Sequence, residues 1–237
     1  MIPKIIHYVW LGGQNKPQAV KTAIDSWKKY APEYTIIEWN EDNFDLNESD
    51  FLAAAIKRRQ YAFASDYIRL AVLTKFGGVY LDADMIMIQP FSLLESSKFE
   101  LTIARITKRQ IFGMGFIMAK PNQEFLGAAL DRYKRMNMED LNQQVANTEL
   151  LSKWFASYYI DININILKEQ RISVIRILTM RMIYQPGIHS VMIHVGVASW
   201  KKRTLKNQIS SFCRRHITAR HRLLLFLPMY SVIRRLI

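Results

Sequence analysis

Residues Ala64–Pro90 read ASDYIRLAVLTKFGGVYLDADMIMIQP, and the reading of this stretch decides the fold. Its first half, Ala64–Phe76, lacks Gly and Pro and spaces Ile68, Ala71, Val72 and Leu73 for burial, which predicts a helix. Gly77-Gly78 supplies the left-handed stop favoured at a helix C-terminus. Val79–Ile88 then predicts a buried strand that Pro90 cannot extend. On such a strand Asp82 and Asp84 stand at i and i+2, so both carboxylates project from one face. Two acids side by side on an apolar strand repel each other and are costly to desolvate. A cation held between them removes that cost.

The acid pair alone is a weak signal. A chain with ten Asp among 237 residues supplies about 0.4 Asp-x-Asp pairs by chance, and a strand running out into a polar turn explains a lone pair equally well. The surroundings sharpen it. Asp66 and Arg69 share one helix face at i, i+3, and their helix leads through Gly-Gly directly into the paired acids. Asp66-x-x-Arg69 followed by Gly77-Gly78-Val79-Tyr80-Leu81-Asp82-Ala83-Asp84 resembles the core of the family 32 glycosyltransferases, the sugar-binding region containing a DXD motif. The glucosylating clostridial toxins share a similar core. The resemblance covers approximately residues 2–120 and reaches Ile193–Trp200.

The residues preceding the motif predict an α/β opening. Ile2–Leu11 is a near-continuous apolar run, as expected of a strand covered on both faces. Gly12-Gly13 ends it, Pro17–Tyr30 reads as a helix with Ala19, Ala23, Ile24 and Trp27 inward, and Tyr34–Trp39 as the next strand. A βαβ opening predicts a parallel sheet with ligands at the carboxyl ends of its strands. Ser49 or Asp50 is placed to cap a helix over Phe51–Gln60, which brings Lys57-Arg58-Arg59 to its last turn as a solvated end or a phosphate contact.

After the motif, Phe99–Ala104 and Ile111–Ala119 read as strands, Asn122–Met136 as a helix, Asn147–Tyr159 as a helix, and Ile172–Leu178 and Val191–Val195 as short strands. Gly113 and Gly115 inside a strand suggest either close backbone approach or a bulge. The fold class expected is thus α/β: a GT-A-like, Rossmann-type, mostly parallel sheet flanked by helices, with a basic amphipathic helical tail. The chain divides only near Trp200, into a 1–200 transferase domain and a 201–237 tail.

The family resemblance implies roles for individual residues. Trp10 would stack on the nucleotide base, Asp66 and Arg69 would hold the donor sugar, and Tyr80 would line the pocket. Asp84 would bind a metal directly, with Asp82 binding it directly or through water while contacting the ribose. The segment from His194 to Ser199-Trp200 resembles the family's closing element, which makes His194 a metal or phosphate ligand and sets Ser199 and Trp200 against the diphosphate. Val195 and Gly196 depart from that element where a second His and an aromatic are frequent. His7 and His189 are expected to pack and no more. The ion implied is Mn²⁺ or Mg²⁺, and the donor a UDP-sugar transferred with retention to a saccharide acceptor. No catalytic nucleophile is identifiable from spacing or composition.

Charge and cysteine content bound the setting. The net charge of +13 is uneven: residues 1–200 hold 23 basic and 20 acidic groups, whereas 201–237 holds ten Lys or Arg and no acid. The charge therefore belongs to the tail. Basic clusters flanking apolar runs such as Leu223–Leu227 suit an interfacial helix on an anionic membrane; an apolar stretch broken by Pro228 is too short for the roughly 20 residues a span needs. Packing on the domain or on another subunit is the plain alternative. Nucleic acid is disfavoured, because the basic residues lack a stacking-aromatic platform. A single Cys213 excludes an internal disulfide framework and fits a reducing compartment, and the N-terminus reads as a first strand rather than a signal peptide. The expectation is an enzyme at the cytoplasmic face of a membrane, extending a lipid-linked saccharide in surface-polysaccharide synthesis. A catalytically silent saccharide- or lipid-binding module is the alternative.

Overall fold

The computed structural model describes residues 1–105, 113–137, 147–158, 170–172, 175–184 and 190–195. Along them run β1 (Ile5–Val9), α1 (Gln18–Tyr30), β2 (Thr35–Trp39), α2 (Asp50–Lys57), α3 (Tyr61–Phe76), β3 (Gly78–Leu81) and β4 (Met85–Met87). A 3₁₀ turn at Phe91–Leu94 leads to β5 (Leu101–Ala104), β6 (Phe116–Ala119), α4 (Glu124–Arg135), α5 (Asn147–Tyr158), β7 (Gln170–Ile172), β8 (Ile175–Leu178), α6 (Met180–Ile183) and β9 (Met192–His194). The described residues fall into two compact units: those within 1–14, 34–82 and 96–179 make one, and those within 15–33, 83–95 and 180–195 the other.

The first unit is built on a seven-stranded sheet in the order β2-β1-β3-β6-β5-β8-β7. β1 pairs in parallel with β2 and β3, and β5 in parallel with β8. β6 lies antiparallel between β3 and β5, and β7 antiparallel beside β8. Five strands therefore share one direction and two oppose it, the mostly parallel sheet that the sequence predicts. Its inner strands β3, β5 and β6 are buried throughout, as strands covered on both faces are.

Helix α3 is apolar around most of its circumference, so it is a buried core helix. Phe51 of α2, Tyr67 of α3 and Tyr133 of α4 are fully buried together, with the Phe51 and Tyr133 rings edge to face at 5.2 Å. The Ser49 hydroxyl caps α2 by accepting from the Leu52 N–H at 3.2 Å, which settles the choice between Ser49 and Asp50. Helix α3 stops where two glycines take positive φ, 64° at Gly77 and 98° at Gly78. A Cβ on Gly77 would stand 2.6 Å from the Pro121 nitrogen, and one on Gly78 2.7 Å from the Ile5 carbonyl oxygen. Only glycine admits both the turn and the close approach.

In the second unit, β4 pairs antiparallel with β9, matching Met85 to His194 and Met87 to Met192. Helix α1 holds β4 through two bonds: the Trp27 indole N–H donates to the Met85 carbonyl at 2.6 Å, and the Met87 N–H donates to the Ser26 hydroxyl at 2.9 Å.

Three expectations need correction. The strand predicted over Val79–Ile88 is two strands in different sheets, β3 and β4, separated by Asp82-Ala83-Asp84. The strand predicted over Ile172–Leu178 is likewise divided into the antiparallel β7 and β8. Gly113 and Gly115 lie ahead of β6 rather than inside it. Apolar residues stand on both sides of each break, and such flanks carry no mark of where the chain changes partners. Among the described residues no helix is long and apolar enough to cross a membrane. The proposed tail 201–237, its boundary at Trp200 and Cys213 lie outside the described residues.

Candidate functional site

The acidic motif begins where β3 ends. The Asp82 N–H donates to the Gly115 carbonyl at 3.0 Å, one step beyond the β3–β6 ladder, and Ala83-Asp84 then turn away. The carboxylates therefore stand in a turn, not on one face of a strand as their spacing predicts. Asp82 is held from behind by Arg69, whose guanidinium lies 3.2 Å from Asp82 Oδ1 and 3.0 Å from Asp66 Oδ1. The same guanidinium donates to the Met114 carbonyl at 2.6 Å and to the Ser65 carbonyl and hydroxyl at 3.2 and 3.1 Å. It also lies over the Tyr80 ring at 4.4 Å.

Asp66 and Arg69 are each only 4% exposed. Burial opposes the charge on Arg69, but the field of Tyr80, Asp82 and Asp66 outweighs it, so the guanidinium pKa is raised. Burial raises Tyr80 as well, against the pull of Arg69, so its hydroxyl stays protonated. Two carboxylates, one guanidinium and backbone carbonyls form a satisfied buried network, as a desolvated charge requires.

In the second unit, His194 Nε2 lies 3.2 Å from Asp84 Oδ1. Antiparallel pairing sets His194 opposite Met85, and the Val195 N–H donates to the Asp84 carbonyl at 3.2 Å, so backbone register fixes the contact. The Tyr184 ring meets the imidazole edge-on, 5.8 Å between centroids. Asp84 and His194 thus bring a carboxylate and an imidazole, both able to ligate a metal ion, together within the second unit, two residues along the chain from Asp82. The family resemblance put His194 on the list of ligands, but its pairing opposite the residue after Asp84 is a long-range register with no local sign.

Trp10 follows β1, its N–H donating to the Trp39 carbonyl at 2.9 Å. Its indole N–H donates to the Gln14 carbonyl at 2.8 Å, and the ring is half-buried rather than part of the core. Beside it the Gly12 N–H donates to the Glu41 carboxylate at 2.6 Å, a tie between the loops after β1 and β2 that the sequence reading missed. Lys57, Arg58 and Arg59 are exposed at the end of α2. His7 is wholly buried, with Nε2–H donating to the Gly77 carbonyl at 2.9 Å and Nδ1 accepting from the Trp39 indole at 3.0 Å. Burial lowers its pKa to about 4, so it is neutral and structural. Ser199, Trp200 and His189 lie outside the described residues.

Comparison with known proteins adds a family signature. Residues 17–100 match the family described as "Glycosyltransferase sugar-binding region containing DXD motif". An uncharacterized glycosyltransferase, L373 of Acanthamoeba polyphaga mimivirus, is 34% identical over 92 residues, covering 36% of this chain and 37% of the relative. Subversion of eukaryotic traffic protein A of Legionella pneumophila is 26% identical over 117 residues, covering 38% of this chain and 18% of the relative. The match thus spans well under half of either relative. Among solved structures, the PaToxG glycosyltransferase superposes with a TM-score of 0.53 at 22% identity, over 66% of this chain and 70% of that one. That similarity establishes the fold, a GT-A-like mixed α/β sheet.

Proposed function

We propose, on the premise that residues 17–100 are a glycosyltransferase sugar-binding region of the DXD type, that this chain moves a sugar from a nucleotide-sugar donor to an acceptor hydroxyl. A divalent cation would be held by Asp82, Asp84 and His194. The observation that carries the reading is the Asp84–His194 pair, a carboxylate and an imidazole held 3.2 Å apart by backbone register, two residues along the chain from a carboxylate already oriented by Arg69. Two carboxylates suit a hard cation, and the imidazole favours Mn²⁺ over Mg²⁺.

Breaking the anomeric bond leaves charge on a departing diphosphate and an oxocarbenium-like sugar. The bound cation would supply Lewis-acid stabilisation of that charge. The chain's own residues do the rest. Arg69 engages Oδ1 of Asp82 and fixes the carboxylate, and Asp66 balances the guanidinium charge. Because Asp66 and Arg69 are nearly buried, they serve the donor sugar mainly by holding Asp82 and the Met114 carbonyl in place. Trp10, half-buried at the end of β1, offers its ring to the base of a UDP-sugar.

The decisive experiment measures release of nucleoside diphosphate across a panel of nucleotide sugars with Mn²⁺. EDTA should abolish it and Mn²⁺ restore it, and Asp84→Asn should lower turnover about 100-fold while the folded circular-dichroism spectrum persists. Full activity in chelator would overturn the reading.

The finer assignments rest on the sequence. We propose retention of anomeric configuration, a lipid-linked saccharide acceptor, a role in surface-polysaccharide synthesis, and anchorage of residues 201–237 at the cytoplasmic face of an anionic membrane. The ten basic residues of that tail support the anchorage. Salt-insensitive pelleting with anionic liposomes, or equal pelleting after removal of 201–237, would refute it.

A further inference from the structure

Arg105 follows β5, at the same edge of the first unit's sheet as Asp82. Its backbone N–H donates to the Leu178 carbonyl at 3.1 Å, and its side chain is 2% exposed. Neither terminal guanidinium nitrogen has a hydrogen-bond partner among the described residues. Arg69, similarly buried, has two carboxylates, two carbonyls and a hydroxyl. A buried guanidinium keeps its charge and costs several kcal/mol when nothing pairs with it, and burial alone pulls the Arg105 pKa down. Such unpartnered buried groups are few in folded proteins, and a bound ion is one of the arrangements that accounts for them.

The location indicates where the counter-ion comes from. The Gly113 N–H donates to the Ala104 carbonyl at 2.8 Å, next to Arg105. Met114 accepts from Arg69, and Gly115 accepts from the Asp82 N–H. One tripeptide therefore links Arg105 to the Arg69–Asp82 centre. β5 and β3 are separated by β6 alone, so their ends lie about 10 Å apart, a separation that a bound nucleotide sugar and its acceptor can bridge.

We propose that Arg105 is an anion-binding residue of the substrate site, its planar guanidinium taking an oxyanion in a bidentate pair. The oxyanion is either a phosphate of the donor or an acidic group of the acceptor. The inference rests on the transferase reading of the adjoining site.

The test is metal-free calorimetric titration of full-length protein with inorganic pyrophosphate and, separately, with glucuronate, together with thermal melting. The proteins compared are wild type, Arg105→Met and Arg105→Lys. Loss of the unpaired charge should raise the ligand-free Tm of Arg105→Met. A donor phosphate at Arg105 predicts at least a ten-fold loss of pyrophosphate affinity in both variants, with Arg105→Lys the milder. An acidic acceptor predicts the same loss for glucuronate with pyrophosphate unchanged. Absence of binding by wild type, unchanged affinities for both anions, or a lowered Tm with affinities kept would each overturn the proposal, the last by showing an ion pair within the chain. Should Arg105→Met fail to fold, Arg105→Lys decides alone, because it keeps the charge and loses the fork. The titrations need neither metal nor turnover, so their failure is distinct from failure of the transferase reading, which Asp84→Asn tests.

Discussion

Asp66–Arg69 and Asp84–His194 are polar contacts of nearly equal length, 3.0 and 3.2 Å, in very different surroundings. The first has 5% of each side chain exposed, whereas His194 and Asp84 keep 36% and 14%. A pair closed off from water fixes other groups in place, and losing one member strands a desolvated charge. A pair that reaches water contributes little to stability but can exchange partners. The DXD segment joins the two kinds: Asp82 is tied to the buried arginine, while Asp84 is tied to the exposed histidine.

Three measurements break or sharpen this contrast. The largest effect is expected at the buried end. Arg69→Met leaves Asp66 uncompensated and should cost about 3–5 kcal/mol in chemical denaturation; a loss below about 1 kcal/mol would place Arg69 among the solvent-screened pairs. Next comes the acid response of His7. Its pKa of about 4 in the folded protein lies below the ordinary 6.5, so the unfolded chain binds more protons between those values. Stability is fully present above pH 6.5 and falls as pH drops through that window, by at most about 3 kcal/mol. His7→Gln should flatten that part of the stability–pH curve, and an unchanged slope would assign it to other groups. The smallest stability change is expected at the exposed end. His194→Gln should shift stability by less than about 1 kcal/mol, yet raise the Mn²⁺ concentration for half-maximal turnover on the order of ten-fold. A large stability loss with unaltered metal dependence would make His194 a structural residue.

The same contrast explains what the sequence disclosed. Helix α3, its Gly-Gly stop and the i, i+3 pairing of Asp66 with Arg69 are local, written in neighbouring residues, and they stand where the spacing puts them. Asp82 and Asp84 were legible as a pair of acids but not as a turn, because the apolar residues on either side read as one strand. The departure of β4 to pair with β9 depends on Trp27 and Ser26, far away in the chain. The Met114 carbonyl on Arg69 and the isolation of Arg105 are likewise products of tertiary packing. The sequence reading ended its strand at Ala104 and gave Arg105 no role, and no periodicity distinguishes a buried arginine with partners from one without. His7 was expected only to pack. Its place on β1 is periodic, whereas its bond to Gly77 forms only when β3 docks.

The glycine pair after α3 also bears on how the molecule assembles. Arg69 meets Asp66 within α3 itself and, because Gly77-Gly78 reverses the chain within two residues, reaches Asp82 through a short loop whose closure costs little entropy. Charged groups so near one another in the chain meet long before strands from distant parts of the sequence find their register. The buried centre is thus an early-forming element around which the slower, non-local pairings of β6 and β1 gather. In kinetic terms, substitutions at Arg69 should slow folding more than they hasten unfolding, which stopped-flow refolding of Arg69→Met can measure.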